Sequence, residues 1–226
     1  MNINIYDVSK KAGVSIATVS RVLNGNAKVS DKTRDKVINA MKELDYTPNV
    51  FARGLGLNTM KTIGIMCIDS SDIYLANAVY YLEQELRKHS YDSILCCTGK
   101  DYNTKKNYLE LLLSKRVDGI ILAGSQFVEN TGMHNNDYII NAARDVPIVL
   151  VNGYLDADNI YSVMCNDEDA VYNATKLLIN NSHRNIVYLY TSTSYSGMNK
   201  YRGYLKAINE AGITLPDEFH HLCGKN

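Results

Sequence analysis

Apolar residues in the first 47 positions recur at intervals of three and four. Ile5, Val8 and Ala12 fall on one side of a short helix, which Asn4 can cap with Asp7 placed three residues on. Gly13 supplies the left-handed residue that stops it. Ser15 caps a second short helix with Thr18 at its third position. Along that helix Val19, Val22 and Leu23 face inward, and Ile16, Ala17, Ser20 and Arg21 are left outside; Asn24 and Gly25 end it. A third helix starts after Ser30, where Val37, Ala40, Met41 and Leu44 give a core stripe. Two short helices joined by a tight Gly-containing turn fit a helix-turn-helix unit, whose second helix enters the major groove of DNA, and on spacing alone they fit a generic three-helix bundle with nothing to read equally well.

From Thr62 the rhythm changes to short apolar runs alternating with amphipathic stretches. The runs predict strands at Ile63–Ile68, Ser93–Cys97, Gly119–Ala123, Ile148–Val151, Tyr161–Met164, Ile186–Tyr190 and Phe219–Leu222. Helices are predicted over 73–89, 103–115, 137–144, 168–181 and 197–211. Interleaved strands and helices imply a parallel sheet covered on both faces. Ligands of such sheets bind beyond the carboxyl ends of the strands, here near Asp69 to Tyr74, Thr98 to Asp101, Gly124 to Gln126 and Asn152 to Tyr154. A crossover from about 155 to 163 marks passage to a second lobe. The expected layout is a helix-turn-helix domain over 1–47, a hinge and linker over 48–60, one lobe over 61–160 and a partial second lobe over 161–226.

Charge adds a modest polarity. The chain is neutral overall, but residues 1–58 hold nine Lys and Arg against five Asp and Glu, and the remainder holds 15 against 19. A basic head on an acidic body fits phosphate contact at one end. No apolar run is long enough to span a bilayer and no secretory leader is apparent, which predicts a cytoplasmic protein that leaves membranes alone. The five cysteines offer no C-x-x-C pair, and Cys67, Cys96 and Cys97 read as small buried hydrophobes. His220 and His221 lack matching partners, so no metal or other cofactor is expected. A nucleophile elbow, a phosphate loop and an H-E-x-x-H pair are all missing, so the expectation is a protein without enzymatic chemistry.

The stretch D-V-S-K-K-A-G-V-S-I-A-T-V-S-R-V-L-N-G at 7–25 resembles the DNA-binding domain of the LacI/GalR regulators, nearest their catabolite-control and sugar-operon members. The likeness continues through V-S-D-K-T-R-D-K-V at 29–37, Y-T-P-N-V-F-A-R-G-L at 46–55 and K-T-I-G-I-M at 61–66. S-D-I-Y-L-A at 71–76, V-D-G-I-I-L at 117–122, P-I-V-L-V-N-G at 147–153 and H-R-N-I at 183–186 look like landmarks of that family's sensor, a two-lobed fold like the periplasmic sugar-binding proteins. The resemblance implies a dimeric regulator that binds a pseudo-palindromic double-stranded operator. Ile16 and Ala17 then meet apolar base edges and Arg21 a guanine. Ser15, Thr18, Asn24, Lys28, Ser30 and Thr33 meet phosphates.

Pro48 restricts Thr47, and the two turns that follow, with Gly54 and Gly56, are too short to be helical alone. In the family such hinges fold into the minor groove. That implies roles there for Asn49, Ala52, Arg53 and Leu55, with Leu55 wedged into the central base step. For a small sugar or sugar-phosphate effector the resemblance implies Ser71, Asp72, Tyr74, Leu75 and Ser125 on the first lobe, and Asn166, Asp167 and Lys200 on the second. Where the family often shows Arg before a Gly-aromatic pair, this chain has Lys200 ahead of Gly203 and Tyr204, with Arg202 shifted by two. Lysine lacks the planar two-pronged donor of arginine.

Only 66 residues follow the start of the second lobe, so a C-terminally truncated sensor with weak dimerisation and effector binding is expected. Two other expectations stand beside the regulator: a solute-binding module whose N-terminal helices contact protein, and a truncated DNA binder that senses nothing.

Overall fold

Asn4 opens the first helix by accepting hydrogen bonds from the amides of Tyr6 and Asp7, while its own amide donates to Asp7 Oδ2 at 2.9 Å. This reciprocal cap starts α1 (Ile5–Ala12); α2 (Ile16–Leu23) and α3 (Asp31–Glu43) follow. The computed structural model describes residues 3–25, 28–47, 59–128, 136–216 and 219–223. Gly13 takes φ +65° and turns the chain sharply between α1 and α2. Val8, Val19, Val37 and Ala40 are buried at the centre of the three helices, and Ile5, Ala12, Val14, Val22, Leu23, Met41, Leu44 and Tyr46 pack around them. An exposed ion pair, Lys11 Nζ to Glu43 Oε2 at 2.8 Å, ties α1 to α3 and contributes less than about 1 kcal/mol. The expected hinge at 48–58 lies outside the described residues.

The chain divides into two units at Lys61 and Thr62. The second unit is built on β1 (Thr62–Cys67), α4 (Ile73–Lys88), β2 (Asp92–Cys97), α5 (Tyr102–Ser114), β3 (Gly119–Ala123), α6 (Asp137–Ala142), β4 (Ile148–Val151) and β5 (Ile160–Val163). A single 3-10 turn at Ser125–Phe127 follows β3. These strands form one parallel sheet in the order β2-β1-β3-β4-β5. Met66, Ile120, Leu122, Ile148 and Leu150 bury their side chains against Leu109 and Leu112 of α5 and Ile139 of α6.

The strand expected to open the second lobe belongs to the first. Ile160–Val163 pairs in parallel with Ile148–Val151 and forms the sheet's far edge. The linker 152–159 contains no helix, so the chain makes this parallel crossover without the helical signal that usually marks one. The second lobe then comprises α7 (Asp167–Asn180), β6 (Tyr188–Tyr190), α8 (Tyr195–Glu210) and β7 (His220–Leu222), with β6 and β7 in a parallel pair. Its core is Ile179, Ile186, Tyr204, Ala207 and Ile208. Gly203 lets α8 lie against the α7 backbone: a Cβ there would sit 2.1 Å from the Glu168 carbonyl oxygen. Tyr188, Tyr190, Tyr201 and Tyr204 stack with centroids 4.9–6.4 Å apart. Cys97, expected to be buried, is exposed because β2 is an edge strand.

Candidate DNA face and effector cleft

Three side chains of α2 stand outward, those of Ile16, Ala17 and Arg21. Ser15 caps this helix by accepting from the Thr18 amide at 3.2 Å, and its Oγ lies 2.9 Å from Thr18 Oγ1. Beside the helix is an open depression of about 640 Å³, lined by Thr18, Arg21, Lys28, Val29, Ser30 and Thr33. At its rim the Ser30 and Thr33 hydroxyls meet at 2.9 Å, and Ser30 makes no side-chain hydrogen bond to the amides that start α3. A helix N-terminus, three hydroxyls and two cations around one concavity suit an anion such as a backbone phosphate. Asn24 closes α2, and its Oδ1 is buried with no hydrogen-bond partner among the described residues. The depression therefore unites five of the residues expected to meet DNA with Val29, and Asn24 does not line it. The hinge residues Asn49, Ala52, Arg53 and Leu55 lie outside the described residues.

In the second unit, helix caps collect at the carboxyl ends of strands. Asp72 accepts from the amides of Tyr74 and Leu75 at the head of α4, and Asp101 from Thr104 at the head of α5. Asn166 caps α7 and Ser194 caps α8. Ser71 is held by Asp69 Oδ1, which accepts from its amide at 2.9 Å and its hydroxyl at 2.7 Å. Tyr74 presents an exposed ring, and its hydroxyl accepts from Asn152 Nδ2 at 2.6 Å. Leu75 is buried in the core and packs close to Gly124, so its side chain is spent on packing.

The two lobes meet where Ser125 Oγ donates to Ser194 Oγ at 2.9 Å. On the second lobe Asp167 is the hub. Its Oδ2 accepts a short hydrogen bond from the buried Ser196 hydroxyl, and its Oδ1 lies 3.6 Å from Lys200 Nζ. Arg202 pairs instead with Glu168, Nε to Oε2 at 3.4 Å, so Lys200 is the cation standing with Asp167. Asn166 turns its side chain onto Asp169, which gives it a capping role. Burial, with the Asp167 charge adding to it, holds the nearby Tyr188 phenol above its ordinary pKa.

Beyond the strand ends the structure joins Tyr74 to Asn152 on the first lobe, Ser125 to Ser194 across the lobes, and Ser196 and Lys200 to Asp167 on the second; Ser194 and Ser196 were passed over in the sequence analysis. The S-Y-S-G run at 194–197 was the available signal, since a serine ahead of a helical stretch is a cap. Hydroxyls, one carboxylate and one ammonium suit a polyhydroxyl ligand with or without an anionic group. Among the described residues no group of three or more His, Cys, Asp or Glu is placed to hold a metal ion, and no helix is long and apolar enough to cross a membrane.

Comparison with known proteins agrees with this architecture at both ends. Residues 4–49 match the model of bacterial regulatory proteins of the lacI family, and residues 60–225 match that of the periplasmic binding proteins and sugar binding domain of the LacI family. This chain belongs to the LacI family. It is 59% identical over 223 residues to an HTH-type transcriptional regulator of Lachnoclostridium phytofermentans, covering 99% of this chain and 67% of that protein. It is 34% identical to the HTH-type transcriptional repressor PurR of Mannheimia succiniciproducens and 33% identical to catabolite control protein A of Priestia megaterium, covering 63% and 65% of those proteins and 95% and 97% of this chain. The crystal structure of a lac repressor dimer bound to operator and an anti-inducer superimposes with a TM-score of 0.78 at 25% identity, over 95% of this chain and 64% of that one. The chain spans about two thirds of the length of these relatives.

Proposed function

We propose that this chain is a sequence-specific DNA-binding transcriptional regulator, a repressor of carbohydrate-metabolism genes that answers to a small sugar or sugar phosphate. The carrying observation is the outward face of α2 beside a depression lined by Arg21, Lys28 and three hydroxyls. In this reading Ile16 and Ala17 lie against thymine methyls, and Arg21 takes the paired acceptors of a guanine. Ser15, Thr18, Lys28, Ser30 and Thr33 bind phosphates and set the register, Asn24 offering its amide nitrogen at the end of α2. Asn49, Ala52 and Arg53 follow the minor groove, and Leu55 wedges its central step.

A homodimer on a pseudo-palindromic operator is supported by the apolar side chains exposed on α4 and the adjoining edge strand, Tyr80, Tyr81 and Leu95. The named repressors among its relatives, and the operator-bound dimer it superimposes on, support the same reading. The effector sits between Ser71, Tyr74 and Ser125 on one lobe and Asp167, Ser196 and Lys200 on the other, where a sugar face stacks on the phenol and its hydroxyls find paired acceptors. Recognition and two conformations are all this task needs, so the protein acts in the cytoplasm without catalysing a reaction.

The test is selection of duplexes from random DNA by the full chain, followed by anisotropy titrations at several salt concentrations. The expected result is one palindromic consensus, bound more tightly than scrambled duplex, with affinity changed by some member of a sugar and sugar-phosphate panel. Equal affinity for selected and scrambled duplexes would overturn the reading.

A further inference from the structure

Cys67 and Cys97 face each other across the first sheet. They are register partners at the last positions of β1 and β2, and side chains of paired residues share a face. Their Sγ atoms are 3.7 Å apart. Cys96, one residue earlier, points to the opposite face and is buried in the lobe core. Neighbouring strands lie about 4.8 Å apart, within the Cα separations a disulfide accepts, so closure needs side-chain rotation more than backbone movement.

The two thiols differ in access. Cys97 is exposed on the edge strand, and Cys67 is fully buried beside it. Just beyond the pair, Thr98 N donates to Cys67 O at 2.9 Å and Gly99 N to Ile68 O at 3.0 Å, so the chain segments leaving both strands are already laced together. We propose that Cys67 and Cys97 are an oxidation site, closing to a reversible disulfide when the protein meets a hydroperoxide.

The exposed Cys97 thiolate attacks a peroxide oxygen. The O–O bond breaks, and the departing oxygen takes up the proton that Cys97 shed on ionising and leaves as water, or as an alcohol from an organic peroxide, leaving Cys97 as a sulfenic acid. The Cys67 sulfur then attacks the Cys97 sulfur and the S–O bond breaks. The leaving hydroxide takes the Cys67 proton and departs as water. Two thiols have lost two electrons and the peroxide has gained them. An external dithiol reverses the bond by exchange. Burial, reinforced by the neighbouring Cys97, pushes the Cys67 thiol up to about 12, which keeps it protonated and leaves first contact with oxidant to Cys97. Its contact distance serves the second step, where a held neighbour replaces a high thiolate fraction. The link would fix the start of the loop carrying Ser71 to the loop after β2.

The test uses the full chain treated with hydrogen peroxide, followed by thiol titration under denaturing conditions and non-reducing peptide mapping. Titratable thiols should fall from five to three, the fragments holding Cys67 and Cys97 should be joined, and dithiothreitol should restore all five. Cys96→Ser should keep the link, and both Cys67→Ser and Cys97→Ser should lose it. A triple variant, Cys96→Ser, Cys165→Ser and Cys223→Ser, retains only the pair and tests closure without touching either sulfur. Linkage through Cys96, Cys165 or Cys223, bonds between chains, sulfinic acid on Cys97 with Cys67 still free, or no thiol loss where a cysteine peptide is oxidised would each overturn the proposal.

Discussion

Replacing Gly203 with alanine tests the packing that builds the second lobe. The added Cβ would lie 2.1 Å from the Glu168 carbonyl oxygen and 3.0 Å from the Glu168 carbonyl carbon and the Tyr172 amide. All three are backbone atoms of one helix, so none can rotate away. Restoring an ordinary 3.4 Å contact requires α7 and α8 to part by about 1.3 Å, the difference between that distance and 2.1 Å. Overpacking of this kind costs about 1–3 kcal/mol, whereas alanine in a helix interior gains about 1 kcal/mol over glycine, so the clash wins. The net loss is up to about 2 kcal/mol, and for a unit of this size each kcal/mol moves the melting temperature by about 2–4 °C, so a fall of up to roughly 8 °C is expected. The Tyr188, Tyr190, Tyr201 and Tyr204 stack reports on this lobe, and the chain has no tryptophan to mask tyrosine emission. Thermal scans by tyrosine fluorescence, with helicity followed in parallel, make the measurement. Gly64→Ala is the control. The three atoms nearest its Cβ are all in the Leu112 side chain, the closest at 2.7 Å, and these can turn aside, so its loss should be smaller. A Gly203→Ala protein melting at or above the parent temperature would show that the helices do not meet so closely.

Arg21→Ala should cost about 1–3 kcal/mol on the selected operator and little on scrambled DNA, read by anisotropy; an equal loss on both would make Arg21 a phosphate contact. Lys28→Ala should weaken all duplexes alike and flatten the salt dependence by about one unit of slope. Lys200→Met should weaken a phosphorylated effector more than its neutral sugar in calorimetry, and equal losses would remove Lys200 from the phosphate's vicinity. Burial raises the pKa of Tyr188 and Tyr204 above 10.0, so the fold holds those phenolic protons more tightly than the unfolded chain does. That stabilisation is whole below pH 10 and lost as pH climbs through the raised values, so denaturant midpoints of the second unit should fall above pH 10. Tyr204→Phe should reduce that alkaline fall and also expose the loss of the 2.9 Å hydrogen bond to the Ile186 carbonyl.

Local signals carried most of the element boundaries. Asn4, Gly13 and Ser15 mark α1 and α2 because capping is settled within three or four residues. Gly119–Ala123 and Ile148–Val151 stand where their apolar runs place them. What depends on distant pairing was less legible. Ile160–Val163 has a strand's pattern, but nothing local says which sheet receives it, so the crossover at about 155 to 163 reads in the sequence as passage to a second lobe. Cys97 sits in an apolar run, yet its exposure follows from β2 being an edge, a property of the whole sheet. Asp167 and Lys200 follow from the family pattern, whereas the S-Y-S-G run signals only a helix cap, and the partners of Ser194 and Ser196 depend on α8 meeting α7 and the turn after β3. Leu75 and Asn166 fall in the same motifs, but one fills the core and the other spends its side chain on a helix start.

Four of the five helices described in the second unit begin at a capping side chain that stands just beyond the carboxyl end of a strand. Asp72, Asp101, Asn166 and Ser194 each satisfy backbone amides, and replacing such a cap with alanine costs about 0.5–2 kcal/mol whatever the ligand. Such positions answer to two masters during divergence, and a change that suits a new effector there also loosens a helix. Tyr74, Ser125 and Lys200 cap nothing, so they are free to drift. Retuning a regulator of this build toward a different small molecule should therefore run through these three side chains, with the caps kept as acceptors, and a library randomised at the three should yield folded proteins far more often than one randomised at the four.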